Sequence, residues 1–210
     1  MVFPANDLLK FFEKPFEKLS TDNWALLPVD TGFCTELLNS AENKFNSNQF
    51  KVAALARSVT PQLDLRNDST FWLDAKSSAL SDIEAAALQQ LGLLAAMLKN
   101  HFRVSITEFE CHYAVYPVGH YYRKHIDTTA ANNKRVFSFV IYLNHSWQPD
   151  DGGELQGYAQ DVENKKNNQE PLLFRIPPKI GTMILFKSDL EHEVLTTYKK
   201  RYSLTGWFRR

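Results

Sequence analysis

YRKHIDTTAANNKRVFSFVIYLNHSW, Tyr122 to Trp147, sets a histidine and an aspartate two positions apart, just ahead of an apolar run rich in β-branched and aromatic residues. Successive side chains of an extended chain alternate faces, so His125 and Asp127 point the same way with one residue between them. The apolar run, Val136 to Leu143, has the composition of a buried strand.

Strand-like runs recur on both sides of it, at Phe109–Tyr116, Tyr121–Asp127, Glu154–Tyr158, Leu172–Ile176, Thr182–Phe186, His192–Thr196 and Tyr202–Phe208. Breakers separate them: Pro117 with Gly119, Pro149 to Gly153, Pro177-Pro178 and Gly181. Eight short strands at this spacing predict a double-sheet jelly roll. The first half reads mainly as helix. Asp7 to Leu19 has helical apolar spacing broken by Pro15, which predicts two short pieces or a kink. Phe33 to Ala41 is a second short helix, and Ser81 to Phe102 the strongest. There Ser81 and Glu84 have capping-box form, and Ile83, Ala87, Leu88, Leu91, Leu94, Met97, Leu98 and Phe102 make one wide apolar face. The expected fold class is therefore α+β, a double-stranded β-helix (jelly roll) with buttressing N-terminal helices. Residues 1–210 are expected to form one domain, helical over about 1–105 and jelly roll over about 106–210. The polar stretch Asp161 to Glu170 reads as a mobile surface loop.

Composition narrows the function. Lys plus Arg equals Asp plus Glu at 24 each, so no net charge draws the chain to nucleic acid or an anionic membrane. Cys34 and Cys111 are the only cysteines, and they read as free buried thiols in a reducing compartment. The N-terminus carries acidic residues and prolines where a signal peptide needs a basic start and an unbroken apolar run, so a cytoplasmic location is expected. No apolar stretch reaches the roughly 20 residues that span a bilayer.

A His-x-Asp pair alone is weak evidence, since six His and twelve Asp in 210 residues give roughly one third of a match by chance. Support lies downstream, where His192 opens another predicted strand and Arg201 follows on the last one. Two His and one carboxylate form the facial triad that holds non-haem Fe(II) and leaves three positions open. In that reading 2-oxoglutarate takes two positions and O₂ the third, and a cation must hold the far carboxylate. The guanidinium of Arg201 offers that carboxylate a fixed fork of donors. Alternation places Ser203, Thr205 and Trp207 on the face of Arg201, and Tyr142 could add a hydroxyl to the same carboxylate.

The order His125-x-Asp127, Tyr142-Leu-Asn144, Gly152-Gly-x-Leu155, His192-Glu-Val194 and Arg201-Tyr-x-Leu-Thr-x-Trp207 resembles the prolyl 4-hydroxylase branch of the 2-oxoglutarate/Fe(II) dioxygenases. The likeness is to hypoxia-inducible-factor prolyl hydroxylases and their bacterial relatives, and it spans Arg66 to Phe208. It also takes in Arg66-x-Asp68, Trp72-Leu73 and Tyr116-Pro117. The resemblance implies His125, Asp127 and His192 as iron ligands, Arg201 with Tyr142 as cosubstrate anchor, and Tyr116 lining the pocket. It further implies Arg135 at the substrate mouth paired with Asp68, and Trp207 in the substrate wall. The implied reaction hydroxylates a proline in a protein or peptide, with succinate and CO₂ released and ascorbate as reductant. The segment between Asp127 and Arg135 departs from the animal enzymes, and the loop from Asp161 to Gln169 looks expanded.

Two other classes compete. The same iron chemistry could act on a nucleobase or a free amino acid; the lack of a basic strip counts against nucleic acid. A jelly roll that binds without turnover is the other, against which the intact triad and Arg201 count. His101, His112, His120 and His145 have no ligand spacing and read as ordinary surface or hydrogen-bonded histidines.

Overall fold

The computed structural model describes residues 8–53, 65–128, 133–159 and 171–210. Among them are three α-helices and eleven strands. In chain order these are α1 (Leu8–Asp22), β1 (Trp24–Pro28), α2 (Thr31–Asn46), β2 (Lys51–Val52), β3 (Ser69–Leu73), α3 (Asp82–Phe102), β4 (Glu108–Tyr116) and β5 (Tyr122–His125). There follow β6 (Arg135–Tyr142), β7 (Leu155–Tyr158), β8 (Leu172–Ile176), β9 (Thr182–Lys187), β10 (His192–Val194) and β11 (Arg201–Arg209). They form a seven-stranded sheet, β1-β9-β6-β11-β4-β3-β2, and a four-stranded sheet, β5-β10-β7-β8. Every strand pairing is antiparallel, as the predicted jelly roll requires.

Strand alternation divides the core in two. On the larger sheet Cys111, Tyr113, Val115, Phe137, Phe139, Ile141, Met183, Leu185, Leu204 and Phe208 face the helices, where they meet Phe12, Leu19, Leu37, Leu91 and Leu94. Their neighbours Ala114, Tyr116, Val140, Tyr142, Ile184 and Phe186 face the smaller sheet and pack on Leu155, Phe174 and Val194. A sheet covered on both faces explains the near-continuous apolar runs of β6 and β9. The helices thus fix the back of the larger sheet, and its front is free to carry chemistry.

Of the expected stripe of α3, Ala87, Leu88, Leu91, Leu94 and Leu98 are buried while Ile83, Met97 and Phe102 are partly buried against the core, and Glu84 accepts the Ser81 N–H at 2.9 Å. The Glu84 carboxylate is fully buried because it also accepts from Ser40 Oγ at 2.8 Å and lies 3.5 Å from Lys44 Nζ, tying α3 to α2. Cys34 and Cys111 are free and buried. No helix among the described residues is long and apolar enough to cross a membrane.

Several expectations need correction. Pro15 does not divide the first helix, which runs unbroken to Asp22, and α2 continues to Asn46. The first half holds three strands that the helical reading passed over. β1 caps one edge of the large sheet, where Pro28 needs no donor, and β2 and β3 extend the other. β5 stops at His125, so Asp127 lies in a bend rather than on a strand. The loop from Asp161 to Glu170 and part of the segment after Asp127 lie outside the described residues.

Candidate active site

β5 and β10 are neighbours in the small sheet, and their register sets His192 directly opposite His125. The bend after β5 returns Asp127 to them, held by its N–H donating to Ser188 O at 3.0 Å. His125 Nε2 lies 3.6 Å from Asp127 Oδ1, and His192 Nε2 lies 3.5 Å from Asp127 Oδ2. One ligand atom from each of the three residues falls within 4.8 Å of the others, a set that could hold one metal ion.

The surroundings prepare both imidazoles as ligands. Each Nδ1 sits 2.8 Å from a backbone carbonyl two residues earlier, Arg123 O for His125 and Leu190 O for His192. A carbonyl only accepts, so Nδ1 carries the proton and Nε2 presents its lone pair inward. Tyr122 stacks on His125 with ring centroids 3.6 Å apart, and Phe186 meets His192 edge-on at 4.7 Å. Burial pushes His192 down to about 4, with the nearby His125 adding to the effect, so the ring is neutral at physiological pH. Burial opposes ionisation of Asp127, but the charge of His192 or His125 whenever either is protonated and a hydrogen bond from Ser138 Oγ at 2.7 Å outweigh it and keep the carboxyl below its ordinary range. Ser138 Oγ is in turn 2.9 Å from Ser188 Oγ.

The triad opens into a cavity whose lining includes Tyr116, Arg201, Ser203, Thr205 and Trp207. The four residues of β11 that alternation set on one face therefore all reach it. Arg201 is 2% exposed, and its Nε has no hydrogen-bond partner among the described residues. Its Nη1 donates to Ser203 Oγ at a long 3.4 Å, and its guanidinium lies 4.9 Å from the Tyr116 ring centroid and 5.3 Å from that of Tyr142. The Tyr142 hydroxyl is also buried without a partner, and burial pushes it up to about 12 against the pull of Arg201. A buried cation with no counter-ion among the described residues is costly to maintain. A dicarboxylate would satisfy both the guanidinium and the hydroxyl, so the residues fit a 2-oxoglutarate site as well as a ferrous one.

Six of the nine predicted site residues line the cavity: His125, Asp127, His192, Arg201, Tyr116 and Trp207. Tyr142 stands behind Arg201. Arg135 and Asp68 do not pair with each other, which corrects the expectation from resemblance. Asp68 takes a bidentate contact from Arg66, at 2.8 and 2.7 Å, and Arg66 lies 4.3 Å over Tyr122. Arg135 is drawn to Glu110 instead, at 2.9 and 3.2 Å, and rests 3.4 Å over the Trp207 ring. Trp207 and Glu110 are cross-strand partners on β11 and β4, so the register delivers carboxylate and ring to the same guanidinium.

Ser138 and Tyr122 were passed over, Arg66 was read only as part of the Arg66-x-Asp68 motif, and His112 was given no role in the site. Ser138 left a trace as the one serine inside the apolar run of β6. His112 is 2% exposed and its Nδ1 has no partner, which corrects its reading as an ordinary surface or hydrogen-bonded histidine.

Comparison with known proteins agrees with this geometry. Residues 111–209 match the family model of the 2OG-Fe(II) oxygenase superfamily. A prolyl-4-hydroxylase from Pseudomonas putida superposes with a TM-score of 0.82 and 27% identity, over 95% of this chain and 100% of that one. A prolyl hydroxylase from Trichoplax adhaerens, solved with a peptide fragment of the hypoxia-inducible-factor oxygen degradation domain, gives 0.81 and 25% over 98% and 93%. An uncharacterised PKHD-type hydroxylase from Synechocystis is 25% identical over 185 residues, 84% of this chain; the chain spans 57% of that relative's length. The ligand triad and the buried arginine both lie inside the segment that matches the 2OG-Fe(II) oxygenase superfamily, and the chain is similar in fold and site to the prolyl 4-hydroxylases.

Proposed function

We propose that the protein hydroxylates a prolyl residue in a protein or peptide. His125, Asp127 and His192 hold Fe(II), Arg201 with Tyr142 binds the far carboxylate of 2-oxoglutarate, and Tyr116 closes the pocket beside it. Trp207 walls the substrate side, with Arg135 on its outer face. Asp68 acts only through Arg66, by neutralising it at the cavity rim. Fe(II) held by His125, Asp127 and His192 would supply the activation of O₂, whose two atoms would end in succinate and on the prolyl carbon as CO₂ is released. The chain's own residues orient the cosubstrate, keep the His192 imidazole neutral and shield the site from water.

One observation carries this reading: a buried guanidinium with an unpartnered Nε opens on the same cavity as the triad. The prolyl substrate is supported by the likeness to a Trichoplax enzyme solved with a peptide on it. The same proposal takes residues 1–210 as one oxygenase domain working in the cytoplasm with ascorbate as reductant; the two free, buried thiols are in keeping with a reducing compartment.

The test is succinate release from 2-oxoglutarate with Fe(II) and ascorbate, with and without proline-containing peptides, followed by mass spectrometry for the gain of one oxygen atom. Peptide-stimulated release with oxygen on proline is the expected result. Stimulation only by methylated nucleic acid or by a free amino acid would replace the substrate, and no release at all would leave a binding module.

A further inference from the structure

Where the metal cavity meets the protein surface, three rings cluster. His112 stands 4.5 Å from Trp72 and 5.5 Å from Trp207 between centroids, and the two tryptophans are 6.1 Å from each other. His112 lines both the metal cavity and the adjoining groove along β2 and β3, so it stands at the boundary between them. Trp72, half exposed, continues the wall outward.

The wall is polar at two points that nothing among the described residues satisfies: His112 Nδ1 and Trp207 Nε1 are both buried without a hydrogen-bond partner there. Orphaned buried polar atoms are rare because an apolar ring of similar shape would avoid the desolvation cost. Burial, aided by Arg66 and Arg135, pushes His112 down to about 3, so the ring is neutral and offers one donor and one acceptor. The two cations beside it are already neutralised, Arg66 by Asp68 and Arg135 by Glu110. The wall therefore suits uncharged peptide groups better than the ammonium and carboxylate of a free amino acid.

A prolyl residue has no N–H, and its ring carries no polar group to read, so recognition beside it must use the flanking main chain. We propose that His112 is a specificity-determining residue that hydrogen-bonds the substrate main chain next to the hydroxylated proline. This rests on the prolyl reading above and names what that reading leaves open: the contact that distinguishes a polypeptide from free proline.

The test compares wild type, His112→Leu and His112→Gln on blocked peptides containing proline and on free proline, together with thermal unfolding of each variant. Leucine should raise the peptide KM about tenfold with a smaller fall in kcat, and should not lower the melting temperature. Glutamine, which keeps a donor and an acceptor, should recover most of the peptide KM. Wild type should turn over blocked peptides in preference to free proline. A peptide KM unchanged by leucine, or a lowered melting temperature with KM and kcat unchanged, would make His112 structural and overturn its role alone. A wild type that releases succinate but hydroxylates no proline peptide would overturn the prolyl reading, and this inference with it.

Discussion

His125 and His192 are cross-strand partners, paired across β5 and β10 with ring centroids 4.3 Å apart. Each ring is turned by the same device, an Nδ1–H donated to the carbonyl two residues before it. The register of a short antiparallel ladder thus sets both the position and the tautomer of two ligands, while the third comes from the bend that follows. A slip of one residue in that ladder would turn one imidazole out of the site.

Ser138 orients that third ligand. Ser138→Ala removes the hydrogen bond to Asp127 Oδ2 and should weaken Fe(II) binding roughly 10- to 100-fold, the usual cost of losing a partner of a metal ligand. Equilibrium dialysis with metal analysis measures it; unchanged affinity would show that the bend alone holds the carboxylate.

Arg201→Ala should raise the KM for 2-oxoglutarate by about two orders of magnitude, in line with losing a buried charge-assisted contact of roughly 3 kcal/mol. Metal affinity should be nearly unchanged. Arg201→Lys should recover only part of the loss, because an ammonium lacks the planar fork. Titrating each variant with 2-oxoglutarate while following succinate measures the effect.

Much of this arrangement was legible in the chain. The strands from β4 to β11 were readable because one face or both are apolar, and His125, His192 and Arg201 sit at their ends or starts. β1, β2 and β3 were not. Lys51–Val52 is too short to show alternation, Trp24–Pro28 ends in a residue that disfavours strands, and all three gain their hydrogen bonds from distant partners. The pairing of Arg135 failed for the same reason. Its choice of Glu110 over Asp68 depends on which residue of β4 faces Trp207 across the ladder, and Arg66 had already taken Asp68. Asp127 was found by its spacing, although the bend that delivers it was read as strand.

His112 should make stability sensitive to acid. Its folded value of about 3 lies below its ordinary 6.5, so as pH falls through that window the unfolded chain takes up a proton and the folded one does not. Stability is then full above about 6.5 and declines toward 3 by up to about 1.4 kcal/mol per pH unit from this group. Thermal unfolding of wild type and His112→Leu across that range should show the gap between them widening in favour of leucine as pH falls; a constant gap would mean the histidine is not held neutral.

Gly206→Ala should destabilise the fold by about 3 kcal/mol. A Cβ there would stand 2.1 Å from the Glu110 carbonyl oxygen and 2.8 Å from Cys111 Cα, both backbone atoms of the paired strand β4, so the two strands must part. Denaturant unfolding measures the loss, which should be accompanied by weaker peptide turnover because Trp207 and Glu110 flank the opening.

The most direct test is an anaerobic titration of the protein with Fe(II) and 2-oxoglutarate, followed by the visible charge-transfer absorption of a chelated 2-oxo acid. Wild type should develop the band and saturate at one iron per chain. His125→Ala and His192→Ala should show none, and Arg201→Ala should require far more 2-oxoglutarate. A band that survives loss of either imidazole, or that never forms in wild type, would contradict a ferrous centre built on His125, Asp127 and His192.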